Sequence, residues 1–151
     1  MDAPTVMGIL NVTPDSFSDG GDSFLAANAV SRALEMQSEG AAIIDIGGES
    51  TRPGALEVSV SEELARIMPV IAQLGEKSDV VISVDTRKSE VVGALSNHST
   101  TRFFVNDVSA MRFDPHMAEA VARGKYRICL MHSVADTDTM QNYAVSDDVL
   151  L

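Results

Sequence analysis

ILNVTPDSFSDGG (Ile9 to Gly21) and IIDIGGESTRPGA (Ile43 to Ala55) each run an apolar, β-branched strand straight into a polar loop marked by glycine. In an α/β scaffold, packing fixes the strand, and the loop at its carboxyl end carries side chains that packing does not require. Asn11, Thr13, Asp15, Ser16 and Asp19 in the first loop are such side chains, as are Glu49, Ser50, Thr51 and Arg52 in the second. Two loops of this kind suggest one shared site.

Working outward, apolar runs at Val6–Val12, Ala42–Ile46, Val80–Val84, Phe103–Val105 and Arg127–Met131 predict five strands. They are nearly continuous and not alternating, as expected of parallel strands covered on both faces. Between them lie segments with helical spacing. Val30, Ala33, Leu34 and Gln37 mark the first, and Leu64, Ile67, Met68 and Ile71 the second. The order is β, α, β, α throughout. Ser59 with Glu62 has capping-box spacing before the second helix, and Asp114 with Pro115 suits the start of the fourth. Gly40, Gly75 and Gly124 fall where helices should stop. Pro69 should kink the second helix or divide it.

A chain of 151 residues with 45% hydrophobic and 22% charged residues is that of an ordinary folded domain. A complete α/β barrel runs to roughly 250 residues, so this length holds only part of one. The formal net charge of -11 argues against non-specific binding to nucleic acid or to an anionic membrane, both of which need a basic surface. It also requires that any bound anion be met by local positive groups: Arg52, Arg87, helix amino termini or a divalent cation. The single cysteine, Cys129, has no partner in the chain for a disulfide or a cysteine-based zinc site, and a reducing cytoplasm fits. No apolar run has the length of a membrane span, and Met1 to Thr5 lack the features of a signal peptide. GGESTRPG is not a Walker loop, because it lacks the terminal Gly-Lys-Ser/Thr. His98, His116 and Cys129 give no metal-ligand spacing.

The two opening stretches resemble the signatures of dihydropteroate synthase. The resemblance continues through VISVDTRKSEV (Val81 to Val91), FFVNDVSA (Phe103 to Ala110) and ICLMH (Ile128 to His132), in family order. It implies a TIM-type (β/α)8 barrel, of which this sequence carries strands one to five. The chain is therefore read as one pterin-binding domain, residues 1–151, truncated before the last three barrel strands, and on its own expected to be inactive or weak. The implied reaction is folate-pathway condensation of 6-hydroxymethyl-7,8-dihydropterin diphosphate with 4-aminobenzoate, giving dihydropteroate and diphosphate. Sulfonamides, as mimics of 4-aminobenzoate, are expected competitors.

The resemblance also assigns roles. Asn11, at the end of the first strand, matches a magnesium ligand, and a neutral amide oxygen suits a cation that uses few protein oxygens together with substrate phosphates; the competing reading is an Asx turn. Thr51 and Arg52 follow the second strand, and Arg52 offers a planar fork for an anionic substrate. A salt bridge to Glu49 or Glu57 is the alternative for that arginine. Asp85 and Asn106 match the residues that contact the pterin ring, because a carboxylate accepts a pair of ring N–H groups and an amide both donates and accepts. Thr86 is expected to cap the following helix and leave Asp85 free. Phe17 and Pro53, with Thr51 and Arg52, are expected to close over 4-aminobenzoate. No residue is expected to act as a catalytic acid, base or nucleophile, since the attacking amine is already neutral. Asp45, inside the second strand, reads as structural, holding backbone or arginine side chains. His132 is a candidate ligand contact or a rim residue.

The expected partners are these small molecules, with a homodimer implied for the full-length family. Two other readings stand beside this one: a non-catalytic pterin or diphosphate binding fragment, and a pterin-dependent methyltransferase, which lacks the GGESTRPGA loop. Three departures from the family pattern bear on the pocket. Arg87 and Ser89 replace smaller residues or proline, the segment before Phe103 is lengthened, and Ser133 to Ala135 stand where Met-Gln-Gly is usual.

Overall fold

A computed structural model describes residues 4–13, 22–50, 55–96 and 103–132. The strands are β1 (Met7–Asn11), β2 (Ile43–Gly47), β3 (Val81–Asp85), β4 (Phe103–Asp107) and β5 (Ile128–Leu130). The helices are α1 (Asp22–Ser38), α2 (Val60–Lys77), α3 (Ser89–Leu95) and α4 (Met117–Gly124). All neighbouring strands pair in parallel, in the order β1-β2-β3-β4-β5. A strand order that follows the chain, with a helix in every crossover, is the arc of a TIM-type barrel.

Each strand alternates between two faces. One face turns Leu10, Ile44, Ile46, Ile82 and Val84 onto the helices, where Ile67, Ile71 and Leu74 of α2 meet them and all are buried. Each such aliphatic side chain contributes about 1.5–3 kcal/mol when removed from water. A smaller cluster of Val92, Val105, Met117 and Val121 seats α3 and α4 on the sheet. Small residues set the spacing. A side chain at Gly8 would come within 2.6 Å of Met36 Sδ, so glycine there lets β1 lie close against α1.

The other face differs from the expectation of strands covered on both sides. Among the described residues no helix covers it, and Ile9 is 64% exposed, with Met7 and Val81 also exposed. Its buried positions are polar: Asp45 and Ser83. This is the concave, inner side of the arc.

Helix ends follow the local chemistry in part: α4 starts at Met117 with His116 at its N-cap, and not at Pro115 with Asp114 as cap. Ser59 caps α2 by accepting from Glu62 N–H at 3.2 Å, as its spacing predicts. Gly40 takes φ +110° after α1. Pro69, on the exposed side of α2, does not divide the helix, which runs from Val60 to Lys77. Gly75 lies within α2 and ends nothing. At the end of α4 the left-handed residue is Lys125, at φ 53°, and not Gly124. Glycine is needed at 124 for a different reason: a Cβ there would lie 2.0 Å from the Tyr126 ring, which stacks on Phe103 with centroids 4.4 Å apart.

Candidate functional site

Parallel pairing aligns one residue from each strand across the carboxyl end of the sheet. Asn11 pairs with Gly47, Gly47 with Asp85, Asp85 with Asn106 and Asn106 with Cys129. Residues so paired share a face, so Asn11, Asp85 and Asn106 stand together on the inner side. The sequence-predicted strand-end residues are thus brought into one hollow. Phe17, Thr51, Arg52 and Pro53 lie outside the described residues.

The row beneath supports this one. Asp45, 3% exposed, accepts hydrogen bonds from the Ser83 hydroxyl and, at 3.0 Å, from Asn106 Nδ2. An ionised carboxylate only accepts, so it fixes which end of the Asn106 amide faces it. The Asn106 carbonyl oxygen and its second N–H are left for a ligand. Asp45 is structural, as expected, but its partners are a serine and the site asparagine. Gly47 completes the arrangement. A Cβ at 47 would lie 3.4 Å from Asp85 Oδ2, so the absence of a side chain opens a gap between Asn11 and Asp85.

The Asp85 carboxyl is pushed up to about 7. Burial is the main cause, and the nearby charges of Asp45, Glu63, Asp107 and Glu49 add to it. No helix needs this carboxylate. Thr86 Oγ1 accepts from Lys88 N–H at 3.2 Å, a turn ahead of α3 and not the helix cap expected of it. The group that meets the first helical N–H comes from elsewhere: Asp114 Oδ2 accepts from Ser89 N–H at 2.7 Å. Its other oxygen accepts from His116 N–H at 2.8 Å ahead of α4. Burial pushes the Asp114 carboxyl up, but these bonds outweigh it and hold the group below the ordinary aspartate value.

Arg87, which the sequence offers to an anion, and its neighbour Lys88 are both committed to carboxylates. Arg87 Nη2 donates to Glu49 Oε1 at 2.6 Å and lies 4.0 Å from Glu57 Oε2. The Lys88 ammonium is 5% exposed and bridges Glu49 and Glu63, the latter at 2.7 Å. Burial pushes its pKa down, and the bonds to Glu49 and Glu63 more than reverse this. Arg87 is therefore not the free anion-binding group that the net charge seemed to ask for. Both Glu49 oxygens accept from these two cations.

Sequence reasoning did not single out Ser83, Glu63, Lys88 or Asp107. Glu63 carried a signal, since it lies on the α2 stripe with Ile67, Val70, Ile71 and Leu74 and is fully buried with them. Asp107 is also fully buried. It accepts from Ser109 N–H at 2.8 Å, Ser109 Oγ at 2.7 Å and Met111 N–H at 2.7 Å, holding a turn in which Ala110 and Met111 adopt left-handed backbone. This turn follows Asn106 directly. Cys129 is a free, exposed thiol, and His132 is exposed just beyond β5.

Magnesium was the expected cofactor. Among the described residues no cluster of three or more His, Cys, Asp or Glu is arranged for a metal. Asn11 fits the expected role of magnesium ligand: it is exposed at the strand end and faces a glycine. A separate cavity of about 510 Å³ lies between α3 and α4, lined by residues that include Ser89, His116 and Tyr126. None of the predicted site residues lines it. No described helix is long and apolar enough to cross a membrane.

Comparison with known proteins is consistent with this geometry. A family profile described as "Pterin binding enzyme" matches residues 7–150. Dihydropteroate synthase of Escherichia coli (strain K12) is 48% identical over 146 residues, 97% of this chain and 51% of that protein. The Yersinia pestis dihydropteroate synthase, solved with a sulfonamide drug, superposes with a TM-score of 0.81 at 46% identity, covering 96% of this chain and 52% of the other. The Xanthomonas albilineans dihydropteroate synthase, solved with 4-aminobenzoic acid, gives 0.80 at 48% identity, covering 89% and 48%. The chain spans about half the length of these relatives.

Proposed function

Because this chain belongs to the pterin-binding enzymes, whose profile matches residues 7–150, we propose that its inner-face hollow is the pterin half of a dihydropteroate synthase site. The observation that carries this is the alignment of Asn11, Gly47, Asp85 and Asn106 on one face at the carboxyl end of the sheet. Asp85 is a half-buried carboxyl that in its ionised form only accepts, Asn106 is an oriented amide beside it, and Gly47 leaves room for a flat ring.

In the proposed reaction the amine of 4-aminobenzoate attacks the pterin methylene carbon. A C–N bond forms, the C–O bond to diphosphate breaks with its electron pair leaving on the diphosphate, and the amine proton passes to solvent. The nucleophile is neutral, so catalysis consists mainly of placement and of stabilising the leaving group. Asp85 accepts from adjacent ring N–H groups, and Asn106 pairs with the mixed donor and acceptor edge. Asn11 would hold magnesium, which when bound offsets the negative charge of the diphosphate. Phe17, Thr51, Arg52 and Pro53 are assigned to 4-aminobenzoate by resemblance. The relatives' names support the folate-pathway assignment, and the Xanthomonas structure supports 4-aminobenzoate as the second substrate. A reducing cytoplasm remains our assignment for its location, on the strength of one free thiol.

The test is calorimetry with 6-hydroxymethyl-7,8-dihydropterin diphosphate, with and without magnesium and 4-aminobenzoate. Binding by the chain, abolished by Asp85→Ala and stripped of its magnesium dependence by Asn11→Ala, is the expected result. Wild-type affinity in Asp85→Ala would defeat the proposal.

A further inference from the structure

Arg87 touches two connections other than its own. Its guanidinium meets Glu49 at 2.6 Å and approaches Glu57 at 4.0 Å, both in the connection between β2 and α2. The same group lies over the Phe113 ring, in the connection between β4 and α4, with Cζ 3.9 Å from the ring centroid. Phe113 is 40% exposed, which is unusual for a ring with no other role, and the guanidinium covers it. Arg87 itself is mostly covered, its side chain 21% exposed. Neighbouring ties reach only one side each. Lys88 joins Glu49 to Glu63 of α2, and Asp114 joins the β4–α4 connection to Ser89 of α3.

We propose that Arg87 is a positioning residue that links the β2–α2 and β4–α4 connections to the carboxyl end of β3, holding the walls around Asp85 and Asn106 in place for the ligand. A planar, permanently charged group is required, because one side must satisfy a carboxylate while the face stacks on an aromatic ring. Lysine, a compact point charge drawn first to the carboxylate, would not serve both contacts at once. The binding part of this inference rests on the pterin reading of the hollow; the linkage does not.

Hydrogen exchange on the full chain tests the linkage. Arg87→Ala should speed amide exchange in both residues 55–59 and residues 108–114, by roughly three- to tenfold for the loss of a half-buried ion pair with a cation–π contact. Arg87→Lys should restore the first segment and not the second. Phe113→Leu should loosen residues 108–114 and, through Arg87, residues 55–59. Changes confined to residues 86–88 in Arg87→Ala, or wild-type exchange of residues 55–59 in Phe113→Leu, would overturn the linkage. Titration with 6-hydroxymethylpterin, followed by its own fluorescence, then tests the consequence: Arg87→Ala should weaken binding by a similar factor. Unchanged affinity in that variant would refute the role in holding the walls. Absence of binding by the wild type would instead refute the pterin reading, with the exchange result deciding the linkage by itself.

Discussion

Replacing Asp85 by asparagine should stabilise the chain at pH 8 and do little at pH 4. The Asp85 carboxyl ordinarily titrates near 3.8 and is pushed up to about 7 in the fold, first by burial and then by the charges of Asp45, Glu63, Asp107 and Glu49. A raised carboxyl means that the folded state holds its proton more tightly than the unfolded state does. Stability therefore falls as pH rises from about 4 to about 7, and above 7 the full cost of burying the charge is present. Three units at about 1.4 kcal/mol each set a ceiling of roughly 4 kcal/mol. Asp85 keeps an edge toward solvent, and screening there reduces the expected gain to about 2 kcal/mol. With a urea slope of about 2 kcal/mol/M, that is an upward shift of roughly 1 M in midpoint at pH 8. Urea unfolding followed by far-ultraviolet circular dichroism at pH 4, 6 and 8 reads it directly. Equal midpoint differences at pH 4 and pH 8, or a loss at pH 8, would refute the claim that this carboxylate is held at a cost to folding.

The same carboxyl makes pterin affinity depend on pH. If ring N–H groups bind the ionised form, affinity should be full above pH 7 and fall about tenfold per unit below it, as read by titrating 6-hydroxymethylpterin at pH 5 to 8; a flat profile would contradict this. Lys88→Met should cost about 3–5 kcal/mol in urea unfolding, because it strands the buried carboxylates of Glu49 and Glu63, whereas a cost below 1 kcal/mol would show the pair to be dispensable. Gly124→Ala should lower stability by about 1–2 kcal/mol despite the better helix propensity of alanine, since its Cβ meets the stacked Tyr126 ring at 2.0 Å. Gly93→Ala in α3, where a Cβ meets nothing within 4 Å, should instead stabilise by about 0.5–1 kcal/mol. A thermal melt of the pair compares the two effects, and equal shifts would mean that contact with Tyr126 does not decide the first.

The sequence alone determined the strands, the helices between them and the residues that end β1 and β3, while β4 runs one residue past Asn106 to Asp107; hydrophobic runs and turn chemistry are local properties of the chain. It also placed Asn11, Asp85 and Asn106 at strand ends, where a parallel sheet must collect them. Tertiary structure decided which partners each polar group meets. Asp45 bonds to Ser83 and Asn106 only because β2, β3 and β4 pair in one register. Arg87 and Lys88 are drawn to Glu49 and Glu63 across 25 to 39 residues of sequence. The cap of α3 comes from Asp114 and not from Thr86, and Gly124, the last residue of α4, must also be small to clear the Tyr126 ring. Such choices depend on distances set by packing, and on the rule that buried charges must find one another, so a linear pattern carries the candidates while the fold selects among them.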